Sequence, residues 1–179
     1  MIYVFLADGF EEVEALTPVD LLRRAGLAVQ TVGVGSHAPC GAHGIRVTAD
    51  IAEAEVLLPE MTAMVLPGGM PGTVNLEKSP VVQAALSFAR DNRLPVAAIC
   101  AAPSILGHAG MLDGRRAVCF PGFESELRGA AVGSEPVVTD GGITTARGAG
   151  AAMAFALELV AQLRSPEEAE NIRRSIQCP

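Results

Sequence analysis

The chain has 179 residues, half of them hydrophobic and 18% charged, which suits one domain with a sizeable core and excludes a disordered chain. Its formal net charge of −7 argues against nucleic acid or an anionic membrane as a partner. No run approaches membrane-spanning length, and the apolar start meets Asp8 too soon, with no basic flank, for a signal peptide. The four cysteines, Cys40, Cys100, Cys119 and Cys178, form no C-x-x-C pair, so free thiols in a reducing cytoplasm are expected.

In chain order, residues 2–7 read as a buried strand and residues 11–25 as a helix, with Val13, Leu16, Val19 and Leu22 as its buried stripe and Gly26 as its stop. Pro18 cannot donate to the carbonyl of Glu14, which predicts a kink. A strand over 27–34 follows, then a Gly/Ser/Pro-rich loop to Gly44, a short strand over 45–48, a brief connection over 53–57 and a core strand over 63–66. Pro67-Gly68-Gly69 breaks that strand. A helix over 80–92 leads into a strand over 96–99 and a helix that ends near Gly110. A strand over 117–120, a short helix over 123–129, a hairpin around Asp140-Gly141-Gly142, an apolar helix over 151–163 and a last helix capped by Ser165 complete the series. Strands alternating with helices predict an α/β fold, with a mostly parallel central sheet and helices on both faces. No linker or repeat divides residues 1–179, so a single domain is expected. Sites in such sheets lie at the carboxyl ends of strands, here Asp8 to Glu14, Gly68-Gly69 and Cys100.

Cys100 ends a buried apolar run, and Ala101-Ala102-Pro103 opens a helical pattern. A side chain on that sharp turn faces the free N–H groups of a helix start, which would lower its pKa and favour the thiolate. The competing reading is a buried cysteine acting as a small apolar residue. Glu11, Glu12 and Glu14 crowd one helical turn, and complementing the helix dipole accounts for two of them. Glu11 and Glu12 are expected on the solvated face. Glu14, at the edge of the stripe, is the carboxyl that burial would raise in pKa and hold ready for proton transfer beside Cys100. Gly68 and Gly69 can present backbone N–H groups which, with that of Ala101, would form an oxyanion hole; a plain loop is the alternative. His37, Cys40 and His43 have metal-compatible spacing but are one ligand short of a closed site, so no metal is expected. His108 lies two turns from Cys100 and is a poor base, and Cys119 reads as a core residue.

These residues together resemble the ThiJ/PfpI superfamily and, within it, the parkinsonism-associated deglycase (DJ-one) branch. The matching segments are Ala7-Asp-Gly-Phe-Glu-Glu-Val-Glu-Ala15, Pro18-Val-Asp-Leu-Leu-Arg-Arg-Ala-Gly26, Leu66-Pro-Gly-Gly69, Ala98-Ile-Cys-Ala-Ala-Pro103 and Ala146-Arg-Gly148. The resemblance implies a flavodoxin-like sandwich, a homodimer, and Cys100 as nucleophile and redox-sensitive thiol. It further implies Glu14 as the acid bonded to that cysteine, with Gly69 and Ala101 as backbone oxyanion donors. Three positions depart from the pattern. Ala101 replaces the histidine that serves the peptidase branch as base. Phe120 stands where the deglycase branch often carries a histidine, and His43 replaces an arginine.

The resemblance thus implies a cysteine-dependent enzyme acting on small aldehydes or dicarbonyls such as methylglyoxal, as a glutathione-independent glyoxalase or a deglycase, with no cofactor. A non-enzymatic oxidative-stress sensor or chaperone working through oxidation of Cys100 is the alternative. A cysteine peptidase or amidase is disfavoured by Ala101.

Overall fold

The computed structural model describes residues 1–179. Its strands are β1 (Ile2–Ala7), β2 (Val29–Val34), β3 (Ile51–Ala52), β4 (Ala63–Leu66), β5 (Val96–Ile99), β6 (Arg116–Ala117), β7 (Ala131–Val132), β8 (Val137–Asp140) and β9 (Ile143–Ala146). Its helices are α1 (Glu12–Arg24), α2 (Gly72–Lys78), α3 (Pro80–Asn92), α4 (Pro103–His108), α5 (Ala152–Leu163) and α6 (Pro166–Ser175). The central sheet has seven strands in the order β3-β2-β1-β4-β5-β9-β8, parallel except for β8. No helix is long and apolar enough to cross a membrane.

Every residue of β1, β4, β5 and β9 is buried, because helices cover both faces of the sheet. Alternation along the strands sorts the side chains. Ile2, Val4, Leu6, Val65, Ala97 and Ile99 pack with Leu22, Phe155, Leu159 and Ile172 from α1, α5 and α6. Tyr3, Phe5, Met64, Leu66 and Ala98 face Leu76, Leu86, Ile105 and Leu106 from α2, α3 and α4 on the other side. This is the expected flavodoxin-like α/β arrangement. The register aligns Leu66 with Ala98 and Ile99 with Ala146, so the loops after β4, β5 and β9 emerge together.

Punctuation explains the ends. Gly141 and Gly142 have φ of 56° and 82°, as a two-residue turn between β8 and β9 requires. The Ser165 hydroxyl accepts from the Glu168 N–H at 3.1 Å and caps α6.

Several expectations change. The buried face of α1 runs through Ala15, Pro18, Val19, Leu21 and Leu22, while Val13 and Leu16 are exposed. Small Ala15 and Pro18 lie against the core, so large aliphatics alone misplace the stripe. No strand forms over 45–48; Arg46 makes only an isolated bridge to Cys40. The edge strand is β3 instead, held to β2 by the Asp50 carboxylate, which accepts from the Thr31 N–H at 2.7 Å and hydroxyl at 2.8 Å. The strand expected over 117–120 is only β6, paired with β7 outside the main sheet. Beyond it the Val118 N–H turns to the Thr145 hydroxyl and the Phe120 N–H to the Cys100 carbonyl. The helix expected over 123–129 is a single 3₁₀ turn. Helix α2 was unforeseen, since its seven residues bury only one large apolar side chain, Leu76.

Candidate active site

Cys100 occupies the turn between β5 and α4 with φ of 66°, a left-handed conformation that costs a non-glycine residue about 1–2 kcal/mol. Its backbone is fastened on both sides: its N–H donates to the Ala146 carbonyl at 2.9 Å, and its carbonyl accepts from the Phe120 N–H at 2.8 Å. These bonds hold the strained residue in place and fix the direction of its side chain.

Glu14 approaches from α1. It is 1% exposed, and its Oε2 accepts from the Gly68 N–H at 3.0 Å. The Cys100 side chain and the Ala149 backbone also favour its charged form. Gly68 makes this approach possible. A Cβ there would lie 2.5 Å from the Cys100 Cβ and 2.6 Å from Glu14 Oε2, inside van der Waals contact. The backbone N–H groups of Gly69 and Ala101 favour a thiolate on Cys100. The structure therefore brings Glu14, Gly68, Gly69, Cys100 and Ala101 together, with one change. The Gly68 N–H is taken by Glu14, which leaves Gly69 and Ala101 as the donors beside the sulfur.

Burial raises the Glu14 pKa from an ordinary 4.5 to about 7, against the bonds from Cys100 and Gly68 that favour its charged form. The lowered pKa expected for Cys100 is overturned. Burial first, then the adjacent carboxylate, push the thiol up, and the N–H groups of Gly69 and Ala101 only partly offset this. Helix α4 begins three residues later, at Pro103, so its dipole acts from further away than the sequence suggested. With a proton on Glu14 the repulsion disappears and the carboxyl becomes a donor toward a thiolate.

Glu12 is not on a solvated face. It is 5% exposed, and its Oε1 accepts from the N–H groups of His43 at 2.8 Å and Ile45 at 3.3 Å. The His43 ring meets Glu12 at 2.9 Å and Glu11 at 3.4 Å, which raises the pKa of the imidazole. His43 thus joins the acids of α1 rather than grouping with His37 and Cys40. His108 lies between Glu77 at 2.5 Å and Glu126 at 2.8 Å. Cys119 is buried, and all four cysteines are free.

The turn after β9 was missed as part of the site. Ala146 anchors Cys100, the Ala149 backbone favours a charged Glu14, and a Cβ on Gly148 would lie 3.8 Å from Glu14 Oε1 and 3.1 Å from the Phe120 ring. The segment Ala146-Arg-Gly148 was a visible signal with no role attached. Phe120, Pro121, Pro136 and Gly148 to Ala151 line an open cleft of ≈ 480 Å³ beside the carboxyl.

Comparison with known proteins agrees with this fold. The model of the DJ-1/PfpI family matches residues 1–162. Protein dj-1beta of Drosophila melanogaster is 32% identical over 176 residues, covering 97% of this chain and 94% of its own. A deglycase of Pyrococcus abyssi is 36% identical over 166 residues, covering 91% and 99%. The crystal structure of a mutant DJ-1 superfamily protein from Salmonella typhimurium superposes with a TM-score of 0.93 at 33% identity, covering 99% of this chain and 98% of that one.

Proposed function

The chain belongs to the DJ-1/PfpI family, and we propose that within it this protein is a glutathione-independent, deglycase-like enzyme that converts small dicarbonyls such as methylglyoxal to hydroxy acids. The observation that carries this reading is a buried carboxyl, Glu14, held by the Gly68 N–H beside Cys100, where burial raises its pKa to about 7. A group poised near neutrality can give and take a proton in one cycle.

The steps balance without a cofactor. The Glu14 carboxylate takes the Cys100 thiol proton as the sulfur adds to the aldehyde carbon, and passes it to the aldehyde oxygen, forming a hemithioacetal and regenerating the carboxylate. The Glu14 carboxylate then removes the hydrogen from that carbon and returns it to the neighbouring carbonyl carbon through an enediol. This leaves a thioester on Cys100, which water hydrolyses to the hydroxy acid and free thiol. Negative oxygen developing at the thioester stage faces the N–H groups of Gly69 and Ala101. A second reading uses the same donors. A sulfinate on Cys100 would accept from them and from protonated Glu14, which supports a redox-sensing role. Exposed Val13 and Leu16 on α1 give the homodimer an apolar surface to bury.

Iodoacetamide tests the nucleophile. Loss of methylglyoxal consumption should follow carbamidomethylation of Cys100, mapped by peptide mass spectrometry, and not that of Cys40 or Cys178. Full activity with Cys100 completely alkylated would exclude this mechanism.

A further inference from the structure

A second cleft, of ≈ 390 Å³, lies at the opposite edge of the sheet, where β5 and β9 begin. Arg90 and Arg93 reach it from the end of α3, and Arg115 comes from the segment after α4. Its floor includes Ala89 and Ile143, both buried, with Leu94 and Met111 half-buried beside them. Three guanidinium groups thus line one concave surface on a chain whose net charge is −7.

These cations are poorly neutralised. Arg90 reaches Asp91 at 3.2 Å, Arg115 reaches only the Asp140 carbonyl at 3.4 Å, and Arg93 is engaged by no carboxylate. Asp113 is the one acid in the lining, and its carboxyl turns toward Gly129. Two backbone features hold the arrangement. Arg93 ends α3 with φ of 55°, where glycine would be the unstrained choice. The Arg115 guanidinium lies across Gly141 at the hairpin tip, in space that any side chain there would fill. A cation near a helix C-terminus complements its dipole, but that needs neither the strained position nor the third arginine.

We propose that this cleft binds a small phosphate monoester with an apolar body. Guanidinium forks bond phosphate oxygens bidentately, and three arginines against the carboxylates of Asp91 and Asp113 leave a positive surplus that favours a phosphate anion. The apolar floor and the volume suit a small organic ligand better than a bare ion.

Calorimetry with phenyl phosphate, inorganic phosphate and benzoate tests the site. Phenyl phosphate should bind the parent protein most tightly. Arg93→Gly keeps the backbone conformation without strain, so the fold is retained while affinity falls by about tenfold or more, as expected for loss of a charge-assisted bond. Arg115→Lys, which keeps the charge but not the fork, should also weaken binding. Methylglyoxal consumption should be unchanged in both variants, since Cys100 lies beyond the other end of β5. Unchanged affinity in Arg93→Gly, or no heat with phenyl phosphate at millimolar concentration, would overturn the proposal. Inorganic phosphate binding as tightly as phenyl phosphate would overturn the role of the floor, and tighter binding of benzoate the choice of phosphate.

Discussion

Glu14→Gln is expected to lower dicarbonyl turnover by about 10²–10⁴-fold, the usual contribution of a positioned acid–base group. The amide can still donate a hydrogen bond toward the Cys100 sulfur but cannot carry a proton from oxygen to carbon. Alkylation of Cys100 by iodoacetamide should therefore stay within about tenfold of the parent, equivalent to one pKa unit. Stability should move the other way. The folded-state pKa of Glu14 lies above its ordinary 4.5, at about 7. The stability owed to its protonated form is therefore complete below pH 4.5 and lost as pH rises through 7. Glutamine never ionises, so its advantage should grow across that window and level off above it at about 3 kcal/mol. Urea unfolding at pH 5 and pH 8 would show this. A variant that retains full turnover would remove Glu14 from the proton path, and one no more stable than the parent at pH 8 would refute the burial penalty. Glu12→Gln is unsuitable as a neutral control, because Glu12 holds the 43–45 loop through its backbone bonds.

Gly68→Ala should be nearly as damaging without touching a reacting group. The added methyl would lie 2.5 Å from the Cys100 Cβ, 2.6 Å from Glu14 Oε2 and 2.9 Å from the Ile99 carbonyl. Two of these atoms are a Cβ and a backbone oxygen, and the third, Glu14 Oε2, is held by the Gly68 N–H, so Cys100 and Glu14 must separate. Displacement by about 1 Å typically costs on the order of 10²-fold in rate. Overpacking of this kind costs about 1–3 kcal/mol in stability. Steady-state kinetics and a urea melt on the same sample should show both losses. Gly150→Ala, where a Cβ meets open space, serves as the comparison. Turnover within about twofold of the parent in Gly68→Ala would mean that the pair tolerates separation, contrary to the misplacement penalty argued above.

Most of the sheet was legible because short, fully apolar runs are bounded by glycine and proline. β1, β4, β5 and α3 match the residues expected for them. Cys100 and Glu14 were legible because each sits at a strand end or helix start with a neighbour that explains its position. Three things were not. The direction of the Cys100 pKa depends on burial and on a charge 86 positions away in the chain, and neither has a local signal. The Gly68 N–H looked like a free donor because its acceptor, Glu14, is 54 positions away in the chain. Glu12 looked solvated because the backbone it bonds belongs to the 43–45 loop, whose approach only the fold creates. The exposed Val13 and Leu16 fail for a simpler reason: Ala15 and Pro18, which periodicity discounts, share the buried face of α1 with Val19, Leu21 and Leu22.

The central claim is that Cys100 and Glu14 act as one unit that turns a dicarbonyl into a hydroxy acid. Proton NMR of methylglyoxal incubated in D₂O with the purified protein, without glutathione or added metal, tests it most directly. The parent should produce lactate carrying deuterium at C2, because a proton held on Glu14 exchanges with solvent before it returns to carbon. Cys100→Ser should produce none. Lactate formed at an equal rate by Cys100→Ser, or none from a folded parent protein, would contradict the account.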